Sequence, residues 1–395
     1  MTASHRDPGT TRRRALSIVS AVAASGLVMA VAVLPSSADT TSSSSSSSTP
    51  RDGVQQSLNA LVRNDGFPAA LASVRDRDGR VRDYTAGVGD LTTKSPVPVN
   101  GMIRIASNTK TFVATVVLQL VAEGKVQLDV PVETYLPNIV RGEGVDGRVI
   151  TVRQLLQHTS GLADYDEIVV DYPAIQHRYF EPREMVDMGV GKPAQFAPGT
   201  GWAYSNTNYI LAGLIVQKVT GRPIGEEITH RIIDRIGLRS TYWPAQGDQS
   251  IRGPHPQGYF ASAPGAPLAN VTEMDPSLSW AAGQLISTPR DLNAFFLALV
   301  GGRLLAPAQL DEMRKTVAAP NSGVRGDERY GLGLSTFTLS CGGEAWSHGG
   351  DAPGYETRNA VTPDGRAVAV AVTSLPTAME TAKHVEEAVD AALCR

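Results

Sequence analysis

The chain predicts an α/β protein in which one antiparallel sheet is assembled from both chain ends, flanked by helices, with a mostly helical region inserted between them. Three observations carry this. Apolar–polar alternation occurs near the N-terminus (AALASVRD, a DG turn, then RVRDYTAG) and returns near the C-terminus (YGLGLSTFTLS, EAWSHGG, YETRNAVT, RAVAVAVTS). Between about residues 130 and 315 the spacing is mostly helical, broken by loops such as QFAPGTGWAYSN and GPHPQGYFASAPGAP. Helical patterns also bracket the strands, over GVQQSLNALVRN at one end and AMETAKHVEEAVDAAL at the other. Strands from the two ends pair most economically into a single sheet covered by those helices.

Residues 1–38 read as an export signal. Arg12, Arg13 and Arg14 form a basic region, AVAASGLVMAVAVL follows, and Ser36-Ser37-Ala38 supplies small residues for cleavage. The adjacent arginines are compatible with either general or twin-arginine export. Residues 39–52, with serines from Ser42 to Ser48, have no side chains able to build a core and read as a flexible tether. The folded domain is then 53–395. Removing 38 of 395 residues leaves 357, enough for a large core. The removed segment carries four arginines and one aspartate, so a whole-chain charge of −3 becomes −6. That balance excludes a nucleic-acid surface, which wants a basic face. The reading is of a secreted, extracellular chain with no stable transmembrane segment after cleavage. Its two cysteines, Cys341 and Cys394, are expected to pair in that oxidising setting.

The chemistry begins at IRIASNTKTF. Phe112, Val113, Val116, Val117, Leu120 and Val121 recur at helical spacing and Gly124 marks the stop. Ser107 falls at the helix start, where serine commonly caps. Lys110, one turn later on the same face, meets the positive end of the helix dipole, a placement that costs about 0.3–1 kcal/mol. A nucleophilic hydroxyl needs a proton acceptor, and a desolvated lysine can be one. In GWAYSNTNY, Tyr204, Ser205 and Asn206 precede another apolar stripe (Leu211, Leu214, Ile215, Val219). A phenol beside a cationic lysine would be pushed toward phenolate and could shuttle a proton. In WSHGGDAPGY, glycines at a strand turn mark close approach of backbone to a ligand. No G-x-S-x-G elbow surrounds a candidate serine, so a lipase-type triad fits worse.

Taken in order, S-x-x-K, Y-S-N and H-G-G resemble the active site of the serine penicillin-recognising enzymes. The branch is the one holding class C β-lactamases and actinomycete-type D-alanyl-D-alanine carboxypeptidases. The similarity extends to LLQHTSGL, to LSWAAGQLISTPRDLNAFF, and to a cysteine seven residues before the motif histidine. The resemblance implies the β-lactamase/transpeptidase-like fold and no cofactor or metal. It makes Ser107 the acylated nucleophile, Lys110 its partner and Tyr204 the proton shuttle. Asn206 would hold the substrate amide, His348 would complete the electrostatics around the tyrosine, and Gly349 and Gly350 would let substrate lie along the strand. The backbone N–H groups of Ser107 and Asp351 would hold the oxyanion, and Trp280 would line the cleft. His158 is expected to be structural, and His255 and His384 have weaker claims.

The implied activity is an exported D-alanyl-D-alanine carboxypeptidase acting on peptidoglycan stem peptides through an acyl-enzyme, with β-lactams as covalent inhibitors. The alternative is an esterase or class C-type β-lactamase on the same machinery. A module that acylates without turnover is the third reading. One departure from the pattern matters. Relatives that bind a terminal carboxylate carry a hydroxyl where Gly349 stands, and Arg358 is the candidate to replace the lost contact.

Overall fold

The computed structural model describes residues 50–166, 172–320, 322–323 and 325–395. The export signal and the serine run lie outside the described residues. Helix α1 (Pro50–Arg63) already includes the last three residues assigned to the tether.

The two chain ends do form one sheet. Strands β1 (Ala69–Arg75) and β2 (Val81–Gly87) make the N-terminal hairpin around a turn at residues 76–80. Near the other end come β3 (Val317–Ala318), β4 (Arg329–Tyr330), β5 (Ser335–Thr338), β6 (Glu344–Ser347), β7 (Gly350–Ala352), β8 (Tyr355–Val361) and β9 (Ala367–Val372). The order is β2-β1-β9-β8-β6-β5-β4-β3, with β7 paired to β8 beyond the end of β6. The junction is antiparallel, running from Ala70 opposite Val372 to Arg75 opposite Ala367.

Period-two alternation in AVAVAV assigns the faces of β9. Val368, Val370 and Val372 pack under the terminal helices with Val54, Leu58, Val385 and Val389. Ala367, Ala369 and Ala371 face the larger cluster that holds Phe112, Phe295 and Phe296. The small alanines let a helix from the inserted region (Pro289–Val300) lie close on that side. Each branched valine buried in this way contributes roughly 1.5–3 kcal/mol. The C-terminal helix, Met379–Leu393, is tied back to the loop after β5 by the Cys341–Cys394 disulfide.

Helix α2 (Thr109–Ala122) runs through the middle of the molecule. A one-sided apolar stripe was expected, yet every residue from Thr109 to Leu120 is buried. The helix lies between layers, so its polar residues need partners inside. Thr111 Oγ1 donates to Gly333 O at 2.7 Å and Thr115 Oγ1 to Thr111 O at 2.7 Å. Gly124 follows with φ 72°, the left-handed stop that glycine adopts without a Cβ clash.

Candidate active site

Ser107 sits in a 3₁₀ turn (Ala106–Asn108) just ahead of α2, and no side chain caps the helix. The capping role open to it in the sequence is therefore not the one it takes. Ala106 is held at φ 44°, a left-handed conformation that costs a residue with a Cβ on the order of 1 kcal/mol or more. Two contacts hold the turn there: Asn108 Nδ2 donates to Ile105 O at 2.8 Å and to Thr357 Oγ1 on β8 at 2.6 Å.

Gly350 explains how the third motif reaches this turn. A Cβ at Gly350 would lie 2.2 Å from Ile105 O and 2.7 Å from Asn108 Nδ2. The close approach expected of these glycines is thus between β7 and the serine turn itself. Gly350→Ala is expected to displace the turn and lower turnover about 100-fold, the size of effect an ångström-scale misplacement has. Steady-state kinetics beside a thermal melt would separate misplacement from unfolding.

Lys110 is fully buried and makes three contacts. Its Nζ lies 2.9 Å from Ser107 Oγ, 2.7 Å from Asn206 Oδ1 and 2.8 Å from Ala282 O. Burial pushes its pKa down to about 7, against the opposing pull of Asp164, Asp166 and Asp351. A neutral amine has two N–H bonds and one lone pair. Asn206 Oδ1 and Ala282 O accept both hydrogens, because the Asn206 amide is oriented by its own Nδ2 donating to Asp164 Oδ2 at 3.0 Å. The lone pair is left facing the Ser107 hydroxyl.

Tyr204 converges on the same point. Its ring lies 4.8 Å from Lys110 Nζ, and Tyr204 and Ser107 line the same cavity. The phenolate expectation is corrected. Burial holds the Tyr204 pKa well above its ordinary value, the Ser107 contact lowering it only in part. Lysine, not tyrosine, is the group whose charge state is poised near neutrality.

His348 is also reassigned. Burial first, and then Lys110, bring its pKa down to about 3, so the ring is neutral. Its Nδ1 lies 2.7 Å from Gly349 O, an acceptor, so that nitrogen carries the proton. Its Nε2 accepts from Tyr330 Oη at 2.8 Å. The ring therefore anchors the start of β7 to β4, with its centroid 6.4 Å from that of Tyr204. Trp280 is placed elsewhere. It lines a separate cavity of about 750 Å³ with Trp243 and Tyr179, its ring packed on Gly213. The tryptophan faces away because the one-turn helix Trp280–Gly283 presents Ala282 O, instead, to Lys110.

His158 is structural, as expected, and the structure shows what it supports. It is buried at φ 60°. Its Nδ1 accepts from Ser205 N at 3.2 Å and lies 3.1 Å from Asn208 Nδ2, while its ring lies 4.3 Å from that of Tyr204. It fixes the loop that delivers Tyr204 and Asn206. Burial, followed by Lys110, depresses its pKa well below the ordinary value, so it serves as a neutral acceptor. His255 sits half-buried beside Gly253 O, and His384 on the C-terminal helix pairs with Asp65 just after α1.

Ser107, Tyr204, Asn206, His348 and Asp351 line one cavity of about 370 Å³. Sequence reasoning missed the acids that share it: Asp166, Glu328 and Glu386. They come from three remote segments and belong to no motif; only Asp166, just after LLQHTSGL, lay near a quoted stretch. Asp166 reaches solvent along one edge, yet the surrounding protein and then Asp164 push its pKa up to about 6.

The family described as beta-lactamase matches residues 54–393. The chain belongs to this family. It is 39% identical to a D-stereospecific amidohydrolase from Streptomyces sp., whose structure matches 86% of this chain and 98% of that one with a TM-score of 0.79. It is 29% identical to the D-amino acid amidase of Ochrobactrum anthropi SV3, over 87% of this chain and 97% of the other, with a TM-score of 0.76. The esterase EstB of Burkholderia gladioli is 29% identical over 64% of this chain and 71% of its own length. Membership supports a serine hydrolase or acyl transferase of this fold.

Proposed function

We propose that this chain is an exported serine amidohydrolase that cleaves amides of D-amino acids bearing a free α-ammonium group. The carrying observation is the sign of the cavity above Ser107. Asp166, Glu328, Asp351 and Glu386 line it against Arg358. Arg358 is already engaged by carboxylates, and among the described residues Asp166 has no cationic side chain bonded to it. An ammonium is favoured there and a carboxylate is repelled. The D preference follows the two amide-cleaving relatives.

The steps follow from the protonation states. Neutral Lys110 takes the Ser107 proton as Oγ attacks the acyl carbon, and the carbonyl oxygen becomes an oxyanion held by the backbone N–H groups of Ser107 and Asp351. Tyr204, still protonated, gives its proton to the departing nitrogen as the C–N bond breaks. The proton on Lys110 then restores the phenol, leaving an acyl-serine and a neutral amine. Water attacks the ester, Lys110 accepts its proton, and that proton returns to Ser107 Oγ as the acid departs.

The test is a substrate panel: a D-amino acid amide, its L counterpart and the N-acetylated D-amide. Hydrolysis of the first well above the other two is expected, and preference for the acetylated compound would refute ammonium recognition. Asp166→Asn is expected to raise KM for the free-amine substrate about tenfold or more, the size of one charge-assisted contact. It should leave KM for the acetylated compound nearly unchanged.

The second reading is the D-alanyl-D-alanine carboxypeptidase of peptidoglycan, with β-lactams as acylating inhibitors. The motif order and the Ser107–Lys110–Tyr204 convergence favour it; the acidic cavity does not. Release of D-alanine from a D-Ala-D-Ala peptide at a rate matching the amide would move the assignment to it.

A further inference from the structure

We infer that Gly349 and Arg358 form a matched pair that sets leaving-group specificity, closing this site to leaving groups that carry a carboxylate. The inference rests on the serine-hydrolase reading of the same cavity and concerns which acyl compounds that chemistry accepts.

The first observation is steric. A Cβ built on Gly349 would meet Arg358 Nη1 at 3.2 Å, with Cδ and Cζ both at 3.5 Å. The space beside the third motif is therefore filled from β8 by a guanidinium, and a hydroxyl-bearing side chain at 349 would have to displace it. The second observation is electrostatic. Arg358 Nη1 donates to Asp351 Oδ1 at 2.8 Å, while Nη2 lies 2.7 Å from Glu356 Oε1 and Nε 2.9 Å from Glu386 Oε1, at ion-pair distance. Nη1 also donates to Thr357 O at 3.0 Å. Each of the three guanidinium nitrogens thus lies within ion-pair distance of a carboxyl group supplied by the protein.

Sequence order alone suggested that Arg358 could receive a substrate carboxylate. The geometry points the other way, because the protein's own carboxylates occupy the positions from which a guanidinium would bind one. Glu386 arrives from the C-terminal helix and is itself bonded to Arg325 Nε at 3.1 Å, so it is held in place independently of Arg358. Glu356 is fully buried, and burial raises its carboxyl pKa, with Arg358 opposing. Asp351 is the outermost of the three, its side chain 55% exposed, and it stands on the cavity wall with Gly349. A leaving group with a negative end would meet the Asp351 carboxylate before it met the cation behind it. Neutral leaving groups, such as ammonia from a primary amide or a simple alcohol from an ester, carry no such penalty.

The discriminating quantity is the ratio of kcat/KM for a carboxylate-bearing leaving group to that for its neutral analogue. The anilide and the carboxyanilide of one D-alanyl group give this ratio; phenyl acetate and carboxyphenyl acetate give it again without an α-amine. Failure of ammonium recognition therefore leaves the second pair readable. Asp351→Asn, an exposed change compatible with folding, is expected to raise the ratio about tenfold, the value of one charge-assisted contact made available. Glu386→Gln should raise it in the same direction by a smaller factor. Gly349→Thr alone should lower turnover of both members of a pair, whereas G349T combined with Arg358→Ser should restore turnover and raise the ratio. Loss of stability alone would lower both rates together without moving the ratio. An unchanged or lower ratio in both Asp351→Asn and Glu386→Gln would overturn the inference.

Discussion

Ser107→Ala is expected to lower kcat/KM by about 10⁴-fold or more while the protein remains folded, because removing a nucleophile disables the whole catalytic unit. In the proposed mechanism this hydroxyl carries the acyl chain between the two half-reactions. Its removal leaves the 3₁₀ turn intact, since the turn is held by Asn108 and Thr357 and not by Ser107. Intact-mass measurement after exposure to a β-lactam or a slow ester substrate supplies the second readout. The parent chain should gain one acyl group on the peptide that contains Ser107, and the variant should gain none. Undiminished turnover in the variant would mean that water, or another residue, attacks the substrate directly.

Lys110 supports an expectation in both activity and stability. With its amine at a pKa of about 7, kcat/KM should rise with pH through that value, because only the neutral amine can accept the Ser107 proton. Lys110→Met should lose about 10³-fold or more and lose this limb of the pH profile. The stability consequence follows from linkage. In the unfolded chain the lysine returns to its ordinary 10.5, so between about pH 7 and 10.5 the unfolded state binds more protons and folding becomes more favourable as pH rises. Below pH 7 both states are protonated, and the folded protein carries the full cost of a buried ammonium. A shift of this size, at about 1.4 kcal/mol per pH unit, amounts to several kcal/mol. Denaturant unfolding at pH 6 and pH 10 should show wild-type stability rising relative to Lys110→Met by that order. A difference between the two proteins that did not vary with pH would place the lysine titration outside this range.

The same geometry explains why helix stability does not select Lys110. Its position at the N-terminal end of α2 is unfavourable for a cation. Burial removes the charge near neutrality, and with it much of that penalty. The asparagine of Y-S-N then has a duty beyond holding a substrate amide. Asn206 orients the amine, and Asp164 orients Asn206. Removing either would take from the buried amine one of its two acceptors, or that acceptor's orientation, leaving Ala282 O to position it.

Much of this was legible in the linear chain because it depends on local periodicity. The valine–alanine alternation of β9 sorts its two faces without reference to any partner, and the three-residue spacing of Ser107 and Lys110 puts them on one turn wherever the helix lies. The S-x-x-K, Y-S-N and H-G-G order likewise identified the family, since those residues persist in their own local frames. What could not be read is whatever depends on solvent exclusion or on contacts between remote segments. No spacing rule states that α2 is buried on all sides, so the sequence could not show that lysine and not tyrosine is poised near neutral pH. The direction of Trp280 is set by packing against Gly213, 67 residues earlier in the chain. The pairing of Gly349 with Arg358, and the arrival of Glu386 from the last helix, are long-range events of the same kind. Motif spacing therefore singled out the groups proposed to do chemistry here, whereas burial and long-range packing decided their charge states and the acidic lining of the cavity, because dielectric environment is a property of the folded interior and is not written in any short stretch of residues.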